Sequence, residues 1–421
     1  MHNLPNSLKT GLAALGSFRV LPVGIWALGF VSMFMDISSE LIHSLLPVFM
    51  SSVLGASMTD IGLIEGIAEA AAAIIKVFSG AISDFIGKRK FLAVLGYGLA
   101  AFTKPVFPLA TTIGWVFVAR FIDRVGKGIR SAPRDALVAD IAPLEMRGAA
   151  YGLRQSLDSI GAFFGPLAAV VFMLLFAGDI KSVLWVAVVP GFISVLLLVS
   201  FVHDPERAAG HSGKEGPLSF GDAMRLPVDY WLIVLLGAVF TLARFSEAFL
   251  VLRAQDVGLS LGYVPMVFVV MNITYTLSSY PAGVAADQFS SRTILISGLV
   301  MLAAADLALA GAASPLLVFI GAGLWGVHMG LTQGLFAKLV ADTAPSVLRG
   351  TAFGIFNLVS GISLLLASLI AGMLWSAFGA PSTFIAGAVF VTISVFGLLF
   401  YRRSPHRREE GRKDSDVGYK R

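Results

Sequence analysis

Long apolar runs separated by short polar stretches divide the chain into twelve segments, near 21–52, 58–82, 90–109, 113–141, 148–177, 182–202, 229–253, 260–286, 293–312, 315–341, 350–377 and 381–401. A helix crosses a bilayer in about 20 residues. Several runs exceed that, so tilt or extension beyond the bilayer is expected. Charges interrupt the pattern unevenly. Segments 6 and 12 have none in their cores, segments 3 and 9 carry only Lys104 and Asp306, and segments 1, 2, 4, 5 and 7 carry nearly all the rest. A charge at mid-bilayer costs about 2.5–3.5 kcal/mol on insertion scales. Every third segment is therefore suited to lipid or outer packing, and the others to a polar interior.

The densest polar stretch runs from Arg120 to Asp140. On a helix at ~100° per residue, Arg120, Asp123, Arg124, Lys127, Arg130, Arg134 and Asp135 fall within roughly 140° of arc. That face must meet water, counter-charges or a ligand. Counter-charges are available at helical spacing: Asp36, Glu40 and His43 in segment 1, Glu65, Glu69 and Lys76 in segment 2, and Arg154 and Asp158 in segment 5. Segment 7 offers Arg244 and Glu247, and segment 10 offers His328, Gln333 and Lys338. Asn272, Tyr275, Tyr280 and Asn357 are further polar candidates from the second half.

Lys88, Arg89, Lys90, Arg147, Arg207, Lys214, Arg225, Arg292, Arg349 and the tail lie on one side of the segments, while the loops 54–58, 109–112, 312–315 and 377–381 have no Lys or Arg. The positive-inside rule then makes both termini cytoplasmic. The first apolar run is too long for the core of a cleavable signal and reads as the first span. A repeat is also visible. ADIAPLEMRGAAYGL at 139–153 returns as ADTAPSVLRGTAFGI at 341–355, with eight of fifteen positions identical at an offset of 202. Gly80 and Asp84 return as Gly283 and Asp287. The chain is thus expected to be an all-α polytopic membrane protein with two pseudo-symmetric six-helix bundles, at 1–202 and 229–401, a linker at 203–228 and a cytoplasmic tail at 402–421. Parallel repeats of this kind recur among transporters.

Composition agrees: 57% of residues are hydrophobic, 14% are charged and mean hydropathy is +0.83. The absence of cysteine excludes disulfides and thiol chemistry. The net charge of +5 is no sign of nucleic-acid binding, since eight Lys/Arg face four acids in the tail alone.

The segment Gly80–Arg89 resembles the loop 2–3 motif of the major facilitator superfamily through Gly80, Asp84, Gly87, Lys88 and Arg89, with Phe85 at the usual basic position. The second copy keeps Gly283, Asp287 and Arg292. The resemblance covers essentially the whole chain and implies that these residues form a latch on the cytoplasmic side. Gly161, Gly165 and Pro166 resemble the family's antiporter motif on helix 5, with Ala169 and Val170 replacing its last glycines. Arg120 sits where the family has a membrane-embedded arginine associated with proton coupling in exporters. The added positive charge after it departs from the common form.

No phosphate loop, dinucleotide turn, HExxH or nucleophile elbow is present. An enzyme is therefore not expected, nor a cofactor or bound metal, and uphill work must draw on an ion or solute gradient. The expected function is alternating-access secondary transport, as proton-coupled export of a small organic molecule by an inner-membrane monomer. Asp36 and Glu40 lead the carboxylates that would exchange protons. The site is expected between the bundles, on helices 1, 4, 7 and 10 with contributions from 2, 5, 8 and 11. No unwound helix with acidic ligands is apparent, which favours protons over sodium. Two alternatives stay open: an organic or phosphorylated anion or metal chelate held by Arg120, Arg124, Lys127 and Arg154, and a membrane sensor that does not transport.

Overall fold

The computed structural model describes residues 21–204, 226–332, 335–345 and 348–400, without the side chains of residues 81, 84, 145, 280, 284, 286–288 and 337. These residues form α1 (Val23–Val48, extended by a π-helical turn Phe49–Val53), α2 (Met58–Ile86), α3 (Arg89–Thr103, then Val106–Leu109), α4 (Ile113–Ile141), α5 (Arg147–Leu175) and α6 (Ile180–Val186 and Val188–Phe201). The second half supplies α7 (Val228–Leu242 and Ala248–Asp256), α8 (Met266–Gln288), α9 (Ser291–Ala310), α10 (Pro315–Thr332 and Leu335–Thr343), α11 (Arg349–Phe378) and α12 (Ala380–Phe400). The chain is an all-α, multi-pass membrane protein. Among the described residues, nine helices are long and apolar enough to cross a membrane. α2, α4 and α7 are not among the nine, α4 through its charge and α7 through its break.

Local chemistry sets several boundaries. The Ser57 hydroxyl accepts from the Asp60 N–H at 3.1 Å, and the Asp60 carboxylate accepts from the Ser57 N–H at 3.0 Å, a reciprocal cap that starts α2. Gly87, at φ +72°, ends it, a conformation open to glycine at no steric cost. Arg253 donates to the Leu309 carbonyl at 3.0 Å and the Ala312 carbonyl at 2.8 Å, and pairs with Asp256. A cation on the side poor in Lys and Arg is thus used to close the end of α9.

The break in α7 was not expected from the sequence. Residues 243–247 leave the helix, and the freed N–H groups find side chains: Ser246 N–H donates to the Ser368 hydroxyl at 3.1 Å, and Ala248 N–H to the Ser246 hydroxyl at 3.3 Å. Backbone can unwind at membrane depth where such partners exist.

α3, α6, α9 and α12 have their main packing partners within their own halves, as their low charge implies. Between halves, α2 packs on α11, α5 on α8, and the second piece of α7 on α1. Glycines measure the approach of α2 and α11. A Cβ on Gly372 would stand 2.3 Å from the Met58 carbonyl oxygen, on Gly62 2.2 Å from that of Ser368, on Gly66 3.0 Å from that of Leu365, and on Gly361 3.4 Å from Ala73. The seam therefore loosens away from the 54–58 loop. Farther on, a Cβ on Gly148, Gly152 or Gly283 would meet nothing within 4 Å. The halves close on the side poor in Lys and Arg and part toward the basic side.

Candidate functional site

Between the halves lies a cavity of about 510 Å³ whose charged lining is Glu40, His43, Glu69, Arg124, Lys127, Arg244 and Glu247. Its aromatic wall is Phe240, Phe245, Trp325, Phe336 and Phe356, and Asn357 and Ser360 add polar groups. Helices α1, α2, α4, α7, α10 and α11 supply the lining. α5 and α8, expected there as contributors, instead join α10 around a second cavity of about 300 Å³ that includes Tyr275, Gln155 and Ser159. Asn272 also serves elsewhere, donating to the Ala162 carbonyl at 2.9 Å across the α5–α8 contact. Gln333 and the Tyr280 side chain lie outside the described residues, and Lys338 is exposed.

Eight of the first half's ionisable side chains form one continuous chain. Glu40 stands 3.5 Å from His43, which is 3.9 Å from Glu65. Glu65 pairs with Arg120 at 2.7 Å, Arg120 reaches Glu69 at 3.8 Å, and Glu69 pairs with Arg124 at 3.2 Å. Arg124 is 3.9 Å from Asp123, which pairs with Lys104 at 2.8 Å. Lys104 also donates to the Ser39 hydroxyl at 3.0 Å, tying α3 and α4 back to α1. Four acids (Glu40, Glu65, Glu69, Asp123) thus face three basic side chains (Arg120, Arg124, Lys104), with His43 set between Glu40 and Glu65.

This pairing bears directly on the basic face of α4. Arg120 and Arg124 are met by carboxylates, and Arg154 pairs with Asp158 at 2.7 Å. Arg134 bonds to Asp135 at 3.0 Å, and Arg130 lies over the Tyr97 ring at 4.7 Å. Lys127 is the exception: it reaches the cavity with no ion pair among the described residues. Lys104, which lies outside the expected site, was legible only as a lone cation in an otherwise apolar outer segment. Lys104→Met is expected to lower stability by less than the ~3–5 kcal/mol of a broken buried pair, because Arg124 still stands near Asp123. Thermal unfolding of Lys104→Met beside Lys104→Met/Asp123→Asn checks this, the double variant melting closer to wild type.

The helix-5 motif acts on α1. A Cβ on Gly161 would come within 2.9 Å of the Asp36 Cβ, and one on Gly165 within 2.8 Å of the Glu40 Cβ. These glycines set how closely α5 holds the two carboxylate-bearing turns, with Pro166 buried beside them. Asp36 makes no hydrogen bond or ion pair among the described residues, and the buried Oδ1 of Asp158 also lacks a partner.

The loop motif is anchored within single halves. Arg89 donates to the Ala136 carbonyl at 3.0 Å and pairs with Asp140 at 2.6 Å, at the end of α4. Arg292 donates to the Leu399 carbonyl of α12. Gly80 has Ala132 of α4 as its near neighbour, Gly87 forms the turn and Lys88 is exposed. The side chains of Asp84 and Asp287 lie outside the described residues.

In the second half, Arg244 and Glu247 occupy the α7 break and line the cavity. Neither makes a hydrogen bond or ion pair with a described residue, and the Arg244 Nε is buried without a partner. The unwound segment beside Glu247 removes the argument for protons that rested on unbroken helices. His328 is anchored through Nδ1 to the Gly298 carbonyl at 2.8 Å.

A sequence model of the Major Facilitator Superfamily matches residues 28–253 and 245–418. An uncharacterized MFS-type transporter of Methanocaldococcus jannaschii is 32% identical over 389 residues, covering 91% of this chain and 96% of the relative. A multidrug resistance protein of Klebsiella pneumoniae is 24% identical over 315 residues, covering 74% and 77%. Among solved structures, a nucleoside transporter superposes with a TM-score of 0.73 at 13% identity, covering 89% of this chain and 98% of that one. A bacterial homolog of the human lysosomal transporter Spinster, inward-facing and occupied, gives 0.71 at 16% identity, covering 90% and 98%.

Proposed function

The chain belongs to the major facilitator superfamily, a transporter and not an enzyme, and from that premise we propose that it exports a small organic molecule in exchange for protons. In this reading the bundles at 1–202 and 229–401 rock about the central cavity. Both termini and the open side face the cytoplasm of a bacterial-type inner membrane, as the positive-inside rule implies. The protein described here is then poised to load cargo from the cytoplasm. The loop residues Asp84, Arg89, Asp287 and Arg292 hold the cytoplasmic side shut in the opposite conformation.

The observation that carries the reading is the contrast between Asp36 and the ion chain. The chain's carboxylates have cationic or imidazole partners, whereas Asp36 has none among the described residues and sits against the helix-5 glycines. A carboxyl without a fixed counter-ion changes its proton occupancy with its surroundings, and movement of α1 changes those surroundings. Arg120 holds Glu65 and Glu69 in place, and Glu40, whose partner at 3.5 Å is the His43 imidazole and not an arginine, joins Asp36 in proton exchange. The drug-resistance relative supports export.

The test uses protein reconstituted in liposomes with a pH-sensitive dye inside. A pH gradient should drive cargo uphill, and a sodium gradient should not. Asp36→Asn should lose uphill movement while keeping equilibrium exchange of cargo across the membrane. Uphill movement that persists in Asp36→Asn, or that follows sodium alone, overturns the assignment.

A further inference from the structure

The α7 break places a cation, Arg244, on the wall of the central cavity. Arg244 has no ion pair with a carboxylate among the described residues, and its guanidinium lies 5.7 Å from the centroid of the Phe240 ring. Phe240 in turn packs on Phe336 at 4.8 Å between centroids, and Phe336 stacks on Phe356 at 6.1 Å with an interplanar angle of 23°. All three rings line the cavity beside Arg244. Facing them from the first half, Lys127 also lacks an ion pair among the described residues, while Arg124 is paired with Glu69. The cavity therefore presents one cation without a direct ion pair from each half, with Glu247 and Glu40 on the same wall, and a set of aromatic faces.

A desolvated charge without a counter-ion is costly, and a guanidinium fork is matched in shape by a planar carboxylate. Aromatic faces favour a flat ring, in offset or edge contact. We propose that the cargo is an aromatic organic acid, its carboxylate held by Arg244 and its ring against Phe240, Phe336 and Phe356. This rests on the transport reading, because the cavity must be the cargo site. Glu247, three residues from Arg244 and also unpaired, faces the same space. A carboxylate there disfavours a second acid group on the cargo and accepts a hydroxyl or amine. Arg120 and Arg124 of α4 do not hold the anion, since carboxylates already occupy them.

The test is thermal unfolding and equilibrium binding of the full chain in detergent with 1-naphthoate, the uncharged 1-naphthylmethanol, inorganic phosphate and the lipophilic cation tetraphenylphosphonium. Naphthoate should raise the melting temperature, with no shift from naphthylmethanol or phosphate. Arg244→Ala should weaken naphthoate binding at least tenfold and Phe336→Ala severalfold. Arg244→Lys should recover part of the loss, which separates a lost anion contact from a misfolded break. If naphthoate gives no shift, or binds Arg244→Ala as tightly as wild type, the aromatic-acid assignment is wrong. If tetraphenylphosphonium binds instead and moves against protons in liposomes, the assignment fails while proton-coupled export stands. If naphthoate binds through Arg244 but moves without protons, the coupling fails and the cargo class stands.

Discussion

Arg120→Leu is expected to melt far below wild type, by an amount equivalent to about 3–5 kcal/mol, and to lose transport. Arg120 is 1% exposed and its partner Glu65 0% exposed, so removing the cation leaves a carboxylate with no water to turn to. His43, 3.9 Å away, is the nearest remaining candidate for its charge. Adding Glu65→Gln should return most of the stability, because the amide carries no charge to compensate. Transport should stay lost in the double variant, since Glu69 then loses its contact with Arg120 and is held by Arg124 alone. Melting curves of the two single variants and the double variant decide it: a double variant no more stable than Arg120→Leu shows that the arginine is held by something other than this pair.

Gly62→Val is expected to shift the protein away from the conformation described here. The added Cβ would lie 2.2 Å from the Ser368 carbonyl oxygen, backbone that cannot step aside within an intact α11. Relief comes from parting α2 and α11 on the side poor in Lys and Arg, which disfavours the closed seam by more than 2 kcal/mol in order of magnitude. The natural chain has no cysteine, so Ser360→Cys in the cavity gives a single thiol to follow. Its labelling by a membrane-impermeant reagent from the basic side should slow at least tenfold when Gly62→Val is added, and labelling from the opposite side should rise. Unchanged rates would falsify the view that this glycine contact governs the conformational balance.

The spans were legible because hydrophobic length is a local property. The starts of α2 and α9 follow from the caps of Ser57 and Ser290, within three residues of sequence. The roles of Glu65, Glu69, Arg120 and Arg124 were legible in part, since spacing placed them on facing helical stripes. What spacing could not reveal is who pairs with whom. The arc of charge on α4 looked like an anion site, yet helix crossing angles bring Glu65 and Glu69 onto it and leave Lys127 alone. Lys104 looked peripheral because its helix is, although its amine reaches inward to Asp123. The α7 break was invisible for a related reason. No glycine or proline marks residues 243–247, and Ser368, which receives the Ser246 N–H, lies 122 positions later. Long-range satisfaction of a backbone donor leaves no local signature.

The ion chain of the first half has a consequence for the membrane voltage. Its four acids against three basic side chains leave a formal charge of minus one. An elementary charge moved fully across 100 mV gains or loses about 2.3 kcal/mol, and a rocking bundle moves its charges through a fraction of that field. The resting potential therefore biases the two conformations through this chain, as well as acting on the cargo and on the charges outside the chain, Asp36 and Lys127 among them.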